Sequence, residues 1–246
     1  MDGSQSLPTI SRSRWDLGTV RSEPLGPSDD WQYIDFASAE VIEGTLEAYK
    51  RICHNTCVSL CDKWQAARLI FSYPYFHWPT FWLQVQDGLY RTDRAFSAAV
   101  MAACAMASAR IRDGALDRFP NPPIFPIETA VSLSEEFYRA ALRAIPHDLT
   151  VAVEFNYKRA KAVLCAVAIQ FGYARTFSVH LGDYITMCSI DGFHNEARWP
   201  AGCNAIEVQE RRRLVCSFFA TSRYKLTYST GRCTRWTSTR QSHGMG

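Results

Sequence analysis

From Ala95 to Ala109 the chain carries no charged side chain, and Arg94 and Arg110 bracket the run. A surface helix needs a polar face for water, and this stretch offers none. It is rich in good helix formers that are also small: Ala98, Ala99, Ala102, Ala103, Ala105, Ala107 and Ala109. Such a segment has to lie at the centre of a fold, with other helices approaching closely on all sides. Asp93 stands where an N-cap is needed, so the sequence predicts a helix over Arg94–Arg112. The uncharged run is too short and too weakly apolar to be read as a bilayer span, and no membrane partner is expected.

The remaining segments supply the helices that would surround it. Ile42, Leu46, Tyr49, Cys53, Cys57, Leu60, Trp64 and Ala67 recur every three or four residues, which predicts one long amphipathic helix from Ala39 with Ser38 as its cap. Aromatic residues crowd between Phe71 and Val85 around Pro74 and Pro79, and a short helix should start near Trp78 or Pro79, where proline suits a first turn. After an extended loop through Pro120, Pro122, Pro123 and Pro126, a helix is expected over Glu128–Ala144, ended by Pro146. The next spans about Val151 to Phe171, with Lys158, Arg159 and Lys161 on one side, Val163, Leu164, Val167 and Ile169 buried, and Gly172 closing it. Ala174–Ser189 and about Ala205 to Tyr228 complete the set. No segment alternates as a strand would, and no internal repeat is present. The fold class is therefore all-α: an irregular multi-helix bundle.

Residues 1–37 mix Ser, Pro, Gly and charge without an apolar period and read as a disordered leader. Its Trp15 and Trp31 read as exposed or loosely packed rings, or as short docking residues. The helical domain would occupy 38–232, with a polar tail over 233–246. At 246 residues the chain is long enough to bury a substantial core. Charge is uneven: residues 205–246 hold eight basic side chains against Glu207 and Glu210, whereas residues 1–35 carry a net −3. A basic end could meet an acidic partner or nucleic acid, but a solvated helix face explains it more simply. The nine cysteines, an odd number without a signal peptide, fit reduced thiols rather than a secreted disulfide framework.

Candidate chemistry is sparse. Cys53, Cys57 and Cys61 lie at i, i+4 and i+8 beside His54, but zinc sites draw on close Cys pairs from two segments, and a small apolar stripe is the better reading. His77 lacks an Asp, Glu or Cys at ligand spacing and reads as a packed, hydrogen-bonded residue. There is no dinucleotide fingerprint, phosphate loop, nucleophile elbow or His-Glu-x-x-His pair. A terpene cyclase would need Asp-rich magnesium ligands on facing helices, and the only adjacent acids that might start such a motif are Asp29 and Asp30 in the leader. No enzyme is expected and no catalytic, cofactor or metal residue is assigned. In the last helix Glu207 and Arg211 are spaced i, i+4, and Glu210 and Arg213 i, i+3, in the favourable acid-first order. Arg211–Arg213 could touch phosphate, but ion pairing with neighbouring acids is favoured.

Set in order, these pieces resemble one family. The His77, Pro79, Thr80, Phe81 element, the Ala-rich helix, the Gly182 and Met187 helix with Gly192 and His194, the Glu210, Arg211, Arg212, Arg213 run, then Arg223 and Gly231, Arg232, are co-linear with the fungal-specific transcription factor domain. That domain is the middle homology region of zinc-cluster transcription factors, and the resemblance covers roughly residues 40–232. It implies a helical regulatory region in a nuclear regulator of RNA polymerase II transcription. The family's zinc ion binding and DNA binding belong to a six-cysteine cluster that enters the major groove. This chain has no Cys-x2-Cys-x6-Cys, so no zinc and no direct DNA contact are expected of its own residues. DNA would be reached through that other module, with the transcription machinery or a second copy as further partners. It also departs from the family at Leu214-Val215-Cys216, Ser222 and Cys233, and the domain is expected to be cut short at its C-terminal side. The alternative is a small-molecule-sensing helical module, with an aromatic cavity expected around Phe76, Trp78 and Trp82.

Overall fold

The computed structural model describes residues 31–54, 75–119 and 121–216. Among these residues there is no strand, and the all-α expectation holds. The helices are α1 (Ala39–Tyr49), α2 (Trp78–Gln86), α3 (Arg94–Arg112), α4 (Ile127–Ser132), α5 (Ser134–Ala144), α6 (Phe155–Gln170) and α7 (Ala174–Ile190). A final helical run, α8, covers 205–216.

The centre is α3. Every residue from Ala95 to Ala109 is buried, and α1, α5 and α6 pack along it. Its small side chains allow this, because an alanine surface has no long side chain to hold a neighbouring helix off. Asp93 caps it as expected, accepting from the Phe96 N–H at 2.8 Å. The full helix is long and apolar enough to cross a membrane by length and composition alone, but it is enclosed by protein. Ser38 likewise caps α1, and Ile42, Leu46, Tyr49 and Cys53 are buried along one stripe. Burial pushes the Cys53 thiol up to about 12, which keeps it a neutral, core-filling group. The regular α-helix ends at Tyr49, short of the long helix expected, and Lys50–His54 continues it as a π-helical turn; Cys57, Cys61 and the rest of that expected helix lie outside the described residues.

Two further helix boundaries differ from expectation, and described residues ahead of Ser38 pack against the helices. Tyr33 meets Tyr90 with ring centroids 5.5 Å apart, Phe36 meets Phe137 at 5.3 Å, and Ala37 is buried. Single aromatic anchors carry no period, so a periodicity argument passes over them. The helix expected over Glu128–Ala144 is broken at Leu133 into α4 and α5. Ser132 Oγ donates to the Thr129 carbonyl at 2.8 Å, a local bond that competes with the helical ladder. The next helix starts at Phe155 instead of Val151 because Asp148 accepts from the Thr150 N–H and hydroxyl, at 2.9 and 2.6 Å, folding that stretch into turns. At its far end Gly172 closes α6 with φ 77°, as expected.

The largest departure concerns α6. Lys158, Arg159 and Lys161 were read as a polar side opposite the buried set, yet Lys158 is 1% and Lys161 6% exposed. The Arg159 side chain is 11% exposed. Packed by α3 and α7, the helix has no water-facing side to give them. Buried cations must be paired. Their partners define the site.

Candidate functional site

Each cation of α6 reaches a different part of the chain. Lys158 Nζ donates to the Val153 carbonyl at 2.9 Å, pairs with Asp191 and lies 5.9 Å from the Phe193 ring centre. It therefore ties the turn before α6 to the turn after α7. Lys161 Nζ pairs with Asp183 of α7 at 2.8 Å. Beside that pair, Tyr138 of α5 and His180 of α7 share a hydrogen bond of 2.6 Å. Burial, together with the Lys161 charge and against Asp183, pushes the His180 imidazole down to about 4.

Arg159 makes the most extensive set. Its Nη2 pairs with Glu210 Oε2 of α8 at 2.5 Å, while its guanidinium carbon stands 4.1 Å from the Phe155 ring centre and 5.5 Å from that of Phe76. Burial pulls the Arg159 pKa below its ordinary value, and the charge and hydrogen bond of Glu210 oppose that pull. The other Glu210 oxygen accepts the backbone N–H of His77, the residue that caps α2. One carboxylate therefore joins α2, α6 and α8.

Arg211 extends the cluster. Glu207 Oε1 accepts from its Nε at 2.9 Å and its Nη2 at 2.6 Å, one turn apart on α8. Its guanidinium carbon lies 4.8 Å from the centre of the same Phe155 ring, 5.5 Å from Phe193 and 5.9 Å from Trp199. Burial works against ionising Glu207, yet the Arg211 hydrogen bond and charge leave its pKa below the ordinary value. Trp199 Nε1 donates to the Phe193 carbonyl at 2.8 Å and holds the loop after α7 over this ring. Two arginines, two glutamates and four aromatic rings form one charge-balanced group, in which planar guanidinium faces suit both ring and carboxylate.

The residues on which the resemblance was read fall in different environments. His77, Glu210 and Arg211 meet in the cluster. Gly192, buried at φ 60°, makes the turn that presents Phe193 to it, and its missing Cβ leaves room for Arg198, whose Cδ would stand 2.4 Å from one. Thr80 Oγ1 is 2.8 Å from His77 Nδ1, although the His77 side chain makes no capping bond to the α2 backbone, and Phe81 stacks on Phe76 at 4.2 Å. Met187 is core, whereas Pro79, Gly182, His194 and Arg213 are exposed. Arg212 pairs through two bonds, 2.8 and 2.7 Å, with exposed Glu196. Arg223, Gly231 and Arg232 lie outside the described residues.

Of the pairings expected within α8, Glu207 with Arg211 forms. Glu210 instead turns away from Arg213 to Arg159, because a buried guanidinium offers a carboxylate more than an exposed one does. Arg159, Phe155 and Glu196 were not singled out as site residues by sequence reasoning. The available signal was a basic triplet inside an otherwise apolar helix, with Phe155 and Arg159 at i, i+4. Phe76 and Trp78 are buried and Trp82 is half-buried, stacked on Trp78 at 5.8 Å. Among the described residues no group of three His, Cys, Asp or Glu could hold a metal ion.

Compared with protein-family models, curated proteins and solved structures, the chain matches none.

Proposed function

We propose that this chain is a regulatory helical region of a fungal zinc-cluster transcription factor, acting in the nucleus in RNA polymerase II transcription and without enzymatic activity. The observation that carries this reading is the meeting of His77 with the neighbouring pair Glu210 and Arg211, His77 lying 133 residues before Glu210, around Arg159. On this reading the residues that carry the resemblance also hold α2, α6 and α8 together. The arginines of α8 support a regulatory rather than a phosphate-gripping role, since Arg211 and Arg212 are engaged by Glu207 and Glu196. Zinc and DNA contacts belong, on this reading, to a cluster module outside this sequence.

Two measurements test it. The purified chain should give no sequence-dependent shift of duplex DNA at physiological salt, and a tight, sequence-dependent shift would sink the regulatory assignment. Inserted between a heterologous DNA-binding domain and an activation domain, the chain should change reporter output, and Glu210→Ala should abolish that change. A reporter indifferent to the chain would remove the reading.

A further inference from the structure

At the end of α7 away from Ala174, a cleft of about 180 Å³ opens between that helix, the turn that follows it, and α8. Its walls are Tyr184, Ile185 and Cys188 of α7, Phe193 and His194 of the turn, and Val215 of α8, with Ser189 at its edge. No lining side chain is an acid, lysine or arginine. The lining is almost wholly apolar, and the deepest polar group is already committed: the Tyr184 hydroxyl donates to the Leu214 carbonyl at 3.1 Å. Burial pushes the Cys188 thiol up to about 11, so it presents a neutral, polarisable wall near pH 7. An apolar cavity of about 150 Å³ in another protein stays dry and takes up benzene, so this volume suits a single or small fused ring. The polar groups still available, the Ser189 hydroxyl and the His194 imidazole, could meet one hydrogen-bonding substituent but not a fixed charge.

We infer that this cleft binds a small, neutral, ring-bearing molecule, and that its occupancy fastens α8 to α7. The second part follows from the walls. Val215 is on α8, Tyr184 holds the α8 backbone at Leu214, and Phe193 stacks on Phe155 at 5.6 Å within the arginine cluster. A molecule filling the cleft touches all three at once. The inference stands apart from the transcription reading, because its test reads binding by the purified chain and needs no reporter.

The experiment is thermal denaturation of the full chain with indole, toluene and benzoate, run on the parent, Ile185→Trp and Cys188→Phe. Indole or toluene at about ten times Kd should raise the parent Tm by about 3–5 °C. Benzoate, with its charge, should not. Either variant fills the cleft and should lose the shift, and Ile185 is exposed enough for a tryptophan there to leave the core intact. Hydrogen exchange should slow in 208–216 of the parent on indole binding. No shift with either neutral probe overturns the inference, as does a shift of equal size in the folded variants. Should one variant fail to fold, the other carries the comparison.

Discussion

Helices α3 and α6 are both enclosed by their neighbours, and they reach that state by opposite means. α3 does so with shape: between Ala95 and Ala109 it has no charge to neutralise, only small surfaces for other helices to rest on. α6 does so with charge: it brings Lys158, Arg159 and Lys161 into the interior, each matched by an acid from elsewhere in the chain. The first helix is insensitive to which partner covers it, provided the volume is right. The second demands particular residues at particular places. A helix of the α6 kind gains little net stability from its charges, since a buried ion pair seldom outperforms well-packed apolar side chains of the same size.

The sharpest way to break this contrast is Glu210→Ala. It leaves Arg159 buried without its carboxylate and the His77 N–H without its acceptor, and should cost about 3–5 kcal/mol in chemical denaturation. Replacing Arg159 and Glu210 together by Met and Leu should recover the part due to the unpaired guanidinium, while the His77 N–H stays without its acceptor. A double variant as unstable as the single one would mean that the pair contributes more than mutual neutralisation.

Acid should attack α6's surroundings next. His180 is held neutral beside the Lys161 and Asp183 pair, with a folded pKa of about 4 against an ordinary 6.5. The unfolded chain therefore binds the extra proton first as pH falls. The associated stability is complete above pH 6.5 and disappears on the way down to about 4, amounting to at most about 3 kcal/mol. His180→Gln should flatten that part of the stability profile relative to the parent, even though carboxylates titrate in the same range. An unchanged slope would place the acid sensitivity elsewhere.

The shape-based helix should answer to volume instead. Ala103→Leu in α3 forces extra methylenes between packed helices and should cost about 1–3 kcal/mol, with little dependence on pH or salt. At the bottom of the scale, Glu196→Gln disrupts only the exposed pair with Arg212 and should change stability by less than about 1 kcal/mol. A large effect there would give the surface of α8 a structural weight that its exposure denies.

Much of the frame was legible in advance. The α3 boundaries, its Asp93 cap, the Ser38 cap of α1 and the Gly172 stop of α6 are local features, decided by which side chains can satisfy a helix end or face. The break at Leu133 and the late start of α6 were not, because Ser132 and Asp148 act through single hydrogen bonds that periodicity averages away. In the site, the i, i+4 pair of Glu207 and Arg211 could be read directly. The longer reach of Glu210 to His77 and Arg159 could not, since it spans parts of the chain that only packing brings together.

By itself, then, the sequence determined the all-α class, that an uncharged alanine-rich segment lies at the centre, and the helix ends marked by Ser38, Asp93 and Gly172. These follow from interactions within a few residues, and from the need to hide a segment with no polar face. Only the tertiary structure decided which charges are buried, which acid answers each of them, and that Glu210 ties α2, α6 and α8 together. The reason is electrostatic: a lysine or arginine in a helix reads as solvent-facing until neighbours on every side remove the water, and then its partner is set by three-dimensional proximity and not by spacing along the chain.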